Sequence, residues 1–164
     1  MKAEVLPVHI RGILPAKGGV ALFLGNEEKV FVITVDVAMG GVIDMALRGT
    51  PKDRPLTHDL IGLIFKGFGI SVERVVITSL RNATFFARLI LRQENELGTK
   101  IVELDARPSD CLALAAAGQK PVYVTRSLFD EVEDMSEVLD QFNAQQSEDD
   151  EDKGDDEEGG KPNT

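Results

Sequence analysis

Seven polar residues in two short clusters are the best candidates for chemistry in this chain. Both clusters combine carboxylates with an arginine, and they consist of Arg54, His58 and Asp59, and of Asp105, Arg107, Ser109 and Asp110. Histidine is the side chain that exchanges a proton most readily near neutral pH. Carboxylates can orient it or bind a divalent cation, and arginine binds phosphate through two N–H groups at once. These residue types indicate acid-base chemistry on an anionic ligand.

The second cluster lies between a predicted strand, residues 100–105, and an alanine- and leucine-rich segment that ends at Gly118. Pro108 suits the first position of a helix, where its missing N–H is not needed. Ser109 and Asp110 then fall in the first turn, where unpaired N–H groups and the helix dipole favour oxygen atoms and negative charge. We expect this helix to be buried and its N-terminus to be the chemically interesting end.

Two interpretations of this turn remain open. Asp105 and Ser109 can simply cap the helix, with Asp110 satisfying the dipole and Arg107 paired with a neighbouring carboxylate. Alternatively, a helix N-terminus flanked by an arginine is an anion-binding site. The two interpretations are compatible with each other.

The first cluster opens another predicted helix. Thr57 is placed to cap this helix, so that His58 and Asp59 occupy its first turn. Its expected inward stripe is apolar throughout and consists of Leu60, Ile61, Ile64, Phe65 and Phe68. A histidine in a first turn can be a surface or capping residue, but the adjacent arginine and aspartate favour a general acid or base. The other histidine, His9, lies in a predicted strand without a polar cluster.

The scaffold that must position these clusters is predicted to be α+β. The apolar patterns predict further strands over residues 2–13, 20–24, 30–35, 71–80, 84–92 and 122–125. They also predict a helix over residues 36–48, which Gly40 and Gly41 are expected to delay at its start, and a terminal helix over residues 127–139.

An internal repeat in the order of the predicted elements suggests how they are related. Residues 31–49 and 100–118 both read as a strand, an aspartate, a helix and a final glycine, at an offset of 69 positions. Each half of the chain then consists of three strands followed by a helix. The sequence therefore predicts a duplicated β-β-β-α unit with a mixed, mainly antiparallel sheet.

Charge is distributed unevenly along the chain. The formal net charge is −10, yet residues 1–129 hold 16 Lys and Arg against 13 Asp and Glu. Residues 147–164 hold nine acidic side chains and two lysines. We expect one domain over residues 1–140 and a disordered acidic tail over residues 141–164. Such a tail is either a solubilising segment or a nucleic-acid mimic that competes for the mildly basic body.

The single cysteine and the lack of long apolar runs indicate the compartment. Cys111 lies in a predicted buried helix and has no possible disulfide partner in the chain, so we interpret it as a core thiol rather than a reactive one. No apolar run approaches the roughly 18 residues of a membrane span, and the N-terminus lacks a secretory pattern. We expect a cytoplasmic protein with no membrane partner.

The chain resembles the bifunctional nuclease family over roughly residues 3–135. The resemblance rests first on the signature Asp105-Ala106-Arg107-Pro108-Ser109-Asp110 and its small-residue helix. Other segments agree with the family in order and spacing, namely residues 54–60, 74–78 with 84–89, and 121–124. The family usually carries a Gly and a Glu near the equivalent turn of the first half, and this chain has Ala38, Met39, Gly40 and Gly41 there, without the Glu.

The resemblance implies a nuclease acting on RNA and DNA. Hydrolysis of a phosphodiester needs an activated water, stabilised phosphoryl oxygens and a proton for the leaving oxygen. We assign the catalytic roles to His58, Asp59, Asp105 and Asp110, and phosphate binding to Arg54, Arg107 and Ser109. A divalent cation such as magnesium is a candidate cofactor, with Asp105 and Asp110 as candidate ligands. This assignment requires that the N-termini of the two helices converge.

Two other function classes use the same residues. One is a non-catalytic oligomeric interaction module in which the signature turn is structural, because function does not follow from fold alone. The other is an anion-binding module or sensor. Homo-oligomerisation is expected in any of these cases, because a small domain with many strands must cover its sheet edges.

Overall fold

A computed structural model describes residues 4–154, except for the side chains of residues 148–154. The fold is α+β. Its first half comprises β1 Val5–Ala16, β2 Gly19–Gly25, β3 Val30–Val35, α1 Val37–Arg48 and α2 Thr57–Gly67. Its second half comprises β4 Ile70–Arg81, β5 Thr84–Asn95, β6 Gly98–Ala106 and α3 Pro108–Gly118, followed by β7 Val122–Thr125, α4 Arg126–Glu131 and α5 Ser136–Gly154.

The seven strands form one sheet with an internal symmetry. Their order is β3-β2-β1-β7-β4-β5-β6, so the two three-stranded units flank the short central strand β7. β7 pairs antiparallel with β1 and parallel with β4, and the other neighbouring strands pair antiparallel. The predicted mixed sheet and the duplicated β-β-β-α order are both confirmed.

The core lies between the sheet and helices α1 and α3. α3 is the most buried helix, with Cys111 and Leu112 fully enclosed, because its side chains are small or apolar all round. α3 contacts α1, α2, β4 and β5. It therefore forms the support on which α2 rests. Among the described residues, no helix combines the length and the apolar character needed to cross a bilayer.

α1 begins earlier than its two glycines suggested. Asp36 caps the helix, and its carboxylate accepts a hydrogen bond from the Met39 N–H at 2.9 Å. Gly40 lies under the side chain of Val20, where an added Cβ would come within 2.7 Å of a Val20 methyl carbon. The expectation of a delayed start was wrong, because the cap at Asp36 begins the helix before Gly40. The close approach of Val20 explains why a glycine is present at position 40.

α2 differs from the sequence interpretation in its cap and in its buried face. Leu56 rather than Thr57 is the N-cap residue. Only Ile61 and Phe65 of the expected inward stripe pack against the core, whereas Leu60, Ile64 and Phe68 are 53%, 49% and 71% exposed. The sequence carries two apolar stripes on this helix, and α3 and β4 cover only one of them.

The predicted terminal helix is divided into two helices. α4 ends at Glu131, and the backbone of Val132 is extended, with φ −72° and ψ 148°. The Met135 N–H then donates a hydrogen bond to the Val30 carbonyl at 2.7 Å, so this segment runs beside the edge strand β3 before α5 begins.

α5 also enters the segment that was predicted to be a disordered tail. α5 continues to Gly154, so residues 141–154 of that segment are helical. Gln, Ala, Glu and Asp dominate this stretch, and no proline interrupts it before residue 162. The remainder of the predicted tail, residues 155–164, lies outside the described residues.

Candidate active site

The first turns of α2 and α3 meet, as the sequence assignment required. The imidazole Nε2 of His58 lies 3.9 Å from the Oδ1 atom of Asp110. The His58 side chain is only 13% exposed, whereas that of Asp110 is 36% exposed. The distance exceeds a direct hydrogen bond, so the imidazole and the carboxylate face each other without being bonded. The structure thus brings together one candidate base and one candidate orienting carboxylate.

Asp110 is held from its other side by Arg107. The Arg107 Nε and a terminal nitrogen donate hydrogen bonds of 2.9 Å and 3.0 Å to the two carboxylate oxygens. These bonds raise the pKa of Arg107, with a smaller contribution from the charge of Asp36. Arg107 is the N-cap residue of α3, and no side chain caps this helix. The interpretation in which Asp105 and Ser109 cap α3 is therefore wrong for the cap, whereas its pairing of Arg107 with a neighbouring carboxylate is confirmed.

Asp59 has a structural role in the first turn of α2. Its carboxylate accepts a 2.7 Å hydrogen bond from the Lys52 ammonium and a 2.8 Å bond from the Leu56 N–H. These two bonds lower the pKa of Asp59, the contact with Lys52 contributing most. A carboxylate at the third helical position that accepts from the N-cap backbone stabilises the start of α2. Both oxygens of Asp59 are thereby engaged.

A basic cavity of about 760 Å³ opens beside His58. Its walls are formed by α2, β4 and the C-terminal half of α3, and are largely apolar. Four cationic side chains line it, namely Lys52, Arg54, Lys66 and Lys120, and Asp59 is the one acidic residue among them. A cleft lined by one sign of charge concentrates ligands of the opposite sign. The cavity therefore suits an anionic ligand.

Four of the seven predicted site residues, namely Asp105, Arg107, Ser109 and Asp110, do not line this cavity. Ser109 is 9% exposed and lines a second cavity of about 390 Å³, together with Asp36 and Arg107. Asp105 lies on the edge strand β6, where its Oδ1 atom is 3.6 Å from a guanidinium nitrogen of Arg88. His58, Arg54 and Asp59 line the basic cavity, Arg107 lines the second cavity, and Asp110 contacts both Arg107 and His58.

The described carboxylates do not fit a metal site built by the protein alone. No group of three His, Cys, Asp or Glu side chains suited to a cation occurs within residues 4–147. The two candidate ligands, Asp105 and Asp110, are paired with different arginines.

Sequence reasoning missed three of the four cations of the basic cavity. Lys52 precedes Arg54 in the loop before α2, Lys66 lies in the last turn of α2, and Lys120 follows α3. Nothing in their local sequence distinguishes them from other lysines. Only the contact between α2 and α3 places them around one cavity.

Comparison with known proteins identifies similar sequences. The family model described as the bifunctional nuclease domain matches residues 21–137. Two uncharacterized proteins of Mycobacterium tuberculosis, one each from strains CDC 1551 / Oshkosh and H37Rv, are 32% identical to this chain over 126 residues. The matched region covers 76% of this chain and 73% of each relative.

Proposed function

The chain belongs to the bifunctional nuclease domain family, and from this premise we propose that it hydrolyses phosphodiester bonds of RNA and DNA at the basic cavity. The observation that carries the proposal is the position of His58. Its imidazole lies at a cavity lined by four cations and 3.9 Å from the carboxylate of Asp110. Hydrolysis of a phosphodiester requires at least a proton-transfer group and a surface that binds the phosphate.

Phosphate binding comes first in this proposal. The scissile phosphate contacts Arg54 and the lysines of the cavity, whose charges stabilise the phosphoryl oxygens as negative charge develops on them. Arg54 is exposed at the cavity rim, which leaves its guanidinium accessible to a strand that approaches from solvent. Arginine suits this role because its planar group binds two phosphate oxygens at once.

Proton transfer by His58 then drives the chemical step. Neutral His58 accepts a proton from a water molecule, whose oxygen forms a bond to phosphorus while the bond to the leaving oxygen breaks. The leaving oxygen, which departs on the opposite side of the phosphorus atom, takes a proton from solvent, and the imidazolium then releases its proton to water. Because water is the nucleophile, no ribose 2′-hydroxyl is needed, and one site serves both RNA and DNA.

Asp110 and Arg107 act as positioning residues in this scheme. The bidentate bond from Arg107 fixes the rotamer of Asp110, and Asp110 in turn faces His58. Asp59 keeps the first turn of α2 in place through Leu56, so that His58 keeps its position. Asp110 therefore positions His58, whereas Asp59 stabilises the start of α2.

Binding of anions without cleavage is the second candidate function, because the same four cations would hold a phosphate whether or not His58 reacts. The test is cleavage of labelled single-stranded RNA and double-stranded DNA by wild type, His58→Ala and His9→Ala. Each reaction is run with magnesium, with manganese and with EDTA. His9, an exposed residue of β1, provides the matched control.

Cleavage that is lost in His58→Ala and kept in His9→Ala would support the proposal. Cleavage that persists in folded His58→Ala would contradict the assignment of the site. If folded wild type binds nucleic acid and cleaves it under none of the three conditions, anion binding becomes the better account.

A further inference from the structure

We propose that the basic cavity takes up one unstacked nucleotide of a nucleic-acid strand, with the base against the apolar walls and the flanking phosphates on the cations Lys52, Arg54, Lys66 and Lys120. The identification of the ligand as nucleic acid rests on the proposed function, whereas the insertion of a base requires no cleavage. The two can therefore be tested separately.

The walls of the cavity suit a base better than a phosphate ion. Five apolar side chains line it, namely Leu63, Phe65, Ile70, Val72 and Leu114. Val72 and Leu114 belong to the buried core, and Phe65 and Ile70 pack against it, so the cavity reaches the hydrophobic interior. A phosphate ion would leave these walls in contact with water, whereas an aromatic base covers them. The volume of about 760 Å³ is typical of sites that enclose a small organic ligand.

The cations lie toward both ends of α2. Lys52 and Arg54 precede the helix, whereas Lys66 lies in its last turn, and a helix of 11 residues separates its first and last turns by roughly 12 Å. Lys52 is paired with Asp59, and the other three have no ion-pair partner within the residues whose side chains the structure describes. A nucleotide inside a strand carries a phosphate on each side. Cations at two separate ends match that arrangement.

Gly62 keeps the middle of the α2 wall open. It lines the cavity, and nothing lies within 4 Å of a Cβ added there. Glycine weakens the interior of a helix, but at this position its missing side chain leaves space that a larger residue would fill. A planar base can therefore lie close to the helix backbone.

Insertion requires a base that is neither paired nor stacked. A duplex must first open or flip a nucleotide, and the lost pairing and stacking reduce the affinity. Single strands already expose such bases. They should therefore enter the cavity more readily than a blunt duplex does.

Titration of the full chain, followed by NMR of its methyl groups, tests the insertion. Adenosine 5′-monophosphate and ribose 5-phosphate carry the same phosphate, but only the first carries a base. We expect the nucleotide to bind about tenfold more tightly and its ring current to shift the methyl signals of Leu63, Val72 and Leu114. Val37 and Leu47, which are exposed on α1 and do not line the cavity, are the controls. Equal affinities, or unshifted cavity methyl groups, would overturn the proposal.

A short single strand and a blunt duplex of the same sequence distinguish a strand from a free nucleotide. Phosphorothioate linkages keep both intact during the titration. We expect the single strand to shift the same cavity methyl groups at concentrations where the duplex does not. If the mononucleotide shifts them and the single strand leaves them unchanged, the cavity binds free nucleotides, and insertion of a strand is wrong.

Two glycines of α2 provide matched variants. Gly62→Leu fills the cavity wall, whereas Gly67→Leu adds the same side chain to the same helix outside the cavity lining. We expect Gly62→Leu to abolish the advantage of the nucleotide over ribose 5-phosphate and Gly67→Leu to keep it, with circular dichroism to verify both folds. A folded Gly62→Leu variant that keeps the advantage would place the base elsewhere.

These titrations are independent of nuclease activity, because adenosine 5′-monophosphate contains no phosphodiester bond. A chain that prefers the nucleotide but cleaves no nucleic acid would contradict only the proposed nuclease. A chain that cleaves nucleic acid without preferring the nucleotide would contradict only the insertion of a base.

Discussion

The Oδ1 atom of Asp110 lies 3.9 Å from the Nε2 atom of His58, although 52 residues separate them in the sequence. This proximity exists because α2 rests on the buried helix α3 with both first turns at the same end. It brings one residue from each of the two polar clusters of the sequence together. The other side of Asp110 is bound by Arg107, so the carboxylate connects a candidate base to a cation.

Substitution of Asp110 should slow cleavage more than substitution of Asp105. Asp110→Asn removes the charge that faces His58, and we expect kcat to fall roughly tenfold to a hundredfold, because such a charge pair contributes a few kcal/mol at most. Asp105→Asn changes a carboxylate that faces Arg88 on the edge strand, and we expect less than about a twofold change. Steady-state kinetics with a labelled oligonucleotide measure both. An equal loss in Asp105→Asn would move the site to β6.

The stabilising effect of Asp59 should depend on pH. Asp59→Ala removes the bonds to Leu56 and Lys52, and we expect a loss of about 1 kcal/mol at pH 7. The pKa of Asp59 is lowered in the folded protein, so its contribution is fully present above the unfolded value near 3.9 and is lost as the pH falls through the folded value. Thermal unfolding at pH 7, 4 and 2.5 measures this difference. Asp53→Asn, in the same loop, is the control. A difference between wild type and Asp59→Ala that persists undiminished at pH 2.5 would contradict this explanation.

Two adjacent glycines of α1 should respond in opposite directions to alanine. A Cβ at Gly40 would meet the Val20 side chain at 2.7 Å, and we expect Gly40→Ala to destabilise the fold by about 1–3 kcal/mol. Nothing lies within 4 Å of a Cβ at Gly41, so Gly41→Ala should stabilise the helix by about 0.5–1 kcal/mol. Chemical denaturation of the two variants measures both effects. Equal effects would refute the close packing of Gly40 against Val20.

The thiol of Cys111 should be unreactive in the folded protein. Burial raises its pKa to about 12, and the charges of Asp110 and Asp105 add to this effect, so almost no thiolate exists at pH 8. We expect iodoacetamide to label Cys111 only after denaturation. Intact mass measured over time, with and without guanidinium, would show the difference. Rapid labelling of the native chain would mean that α3 opens frequently.

Much of this architecture could be predicted from the sequence. Alternating and β-branched positions predicted all seven strands, and the segment from Asp105 to Gly118 predicted the strand, the turn and the buried helix correctly. The pattern of α2 was ambiguous, because apolar residues on both of its faces cannot indicate which face is covered. The end of α4 could not be predicted from local sequence either, because the segment after it contacts Val30, about a hundred residues away, through Met135.

The candidate site was predictable only in part. Residue types identified His58 and Asp110, and their convergence was a requirement that the fold meets. The separate pairing of Asp105 with Arg88 depends on the register of β5 and β6, in which Arg88 lies opposite Asp105. Lys66 and Lys120 join the cavity through the packing of α2 on α3, which local sequence does not encode.

A double-mutant cycle on His58 and Asp110 tests the central claim most directly. We measure kcat/KM for wild type, His58→Ala, Asp110→Asn and the double variant, with circular dichroism to verify the fold. If Asp110 acts through His58, we expect His58→Ala to lose about 10²–10⁴-fold and the double variant to be no slower than His58→Ala alone. If the two losses instead multiply, Asp110 acts independently of His58, and the paired site described above is incorrect.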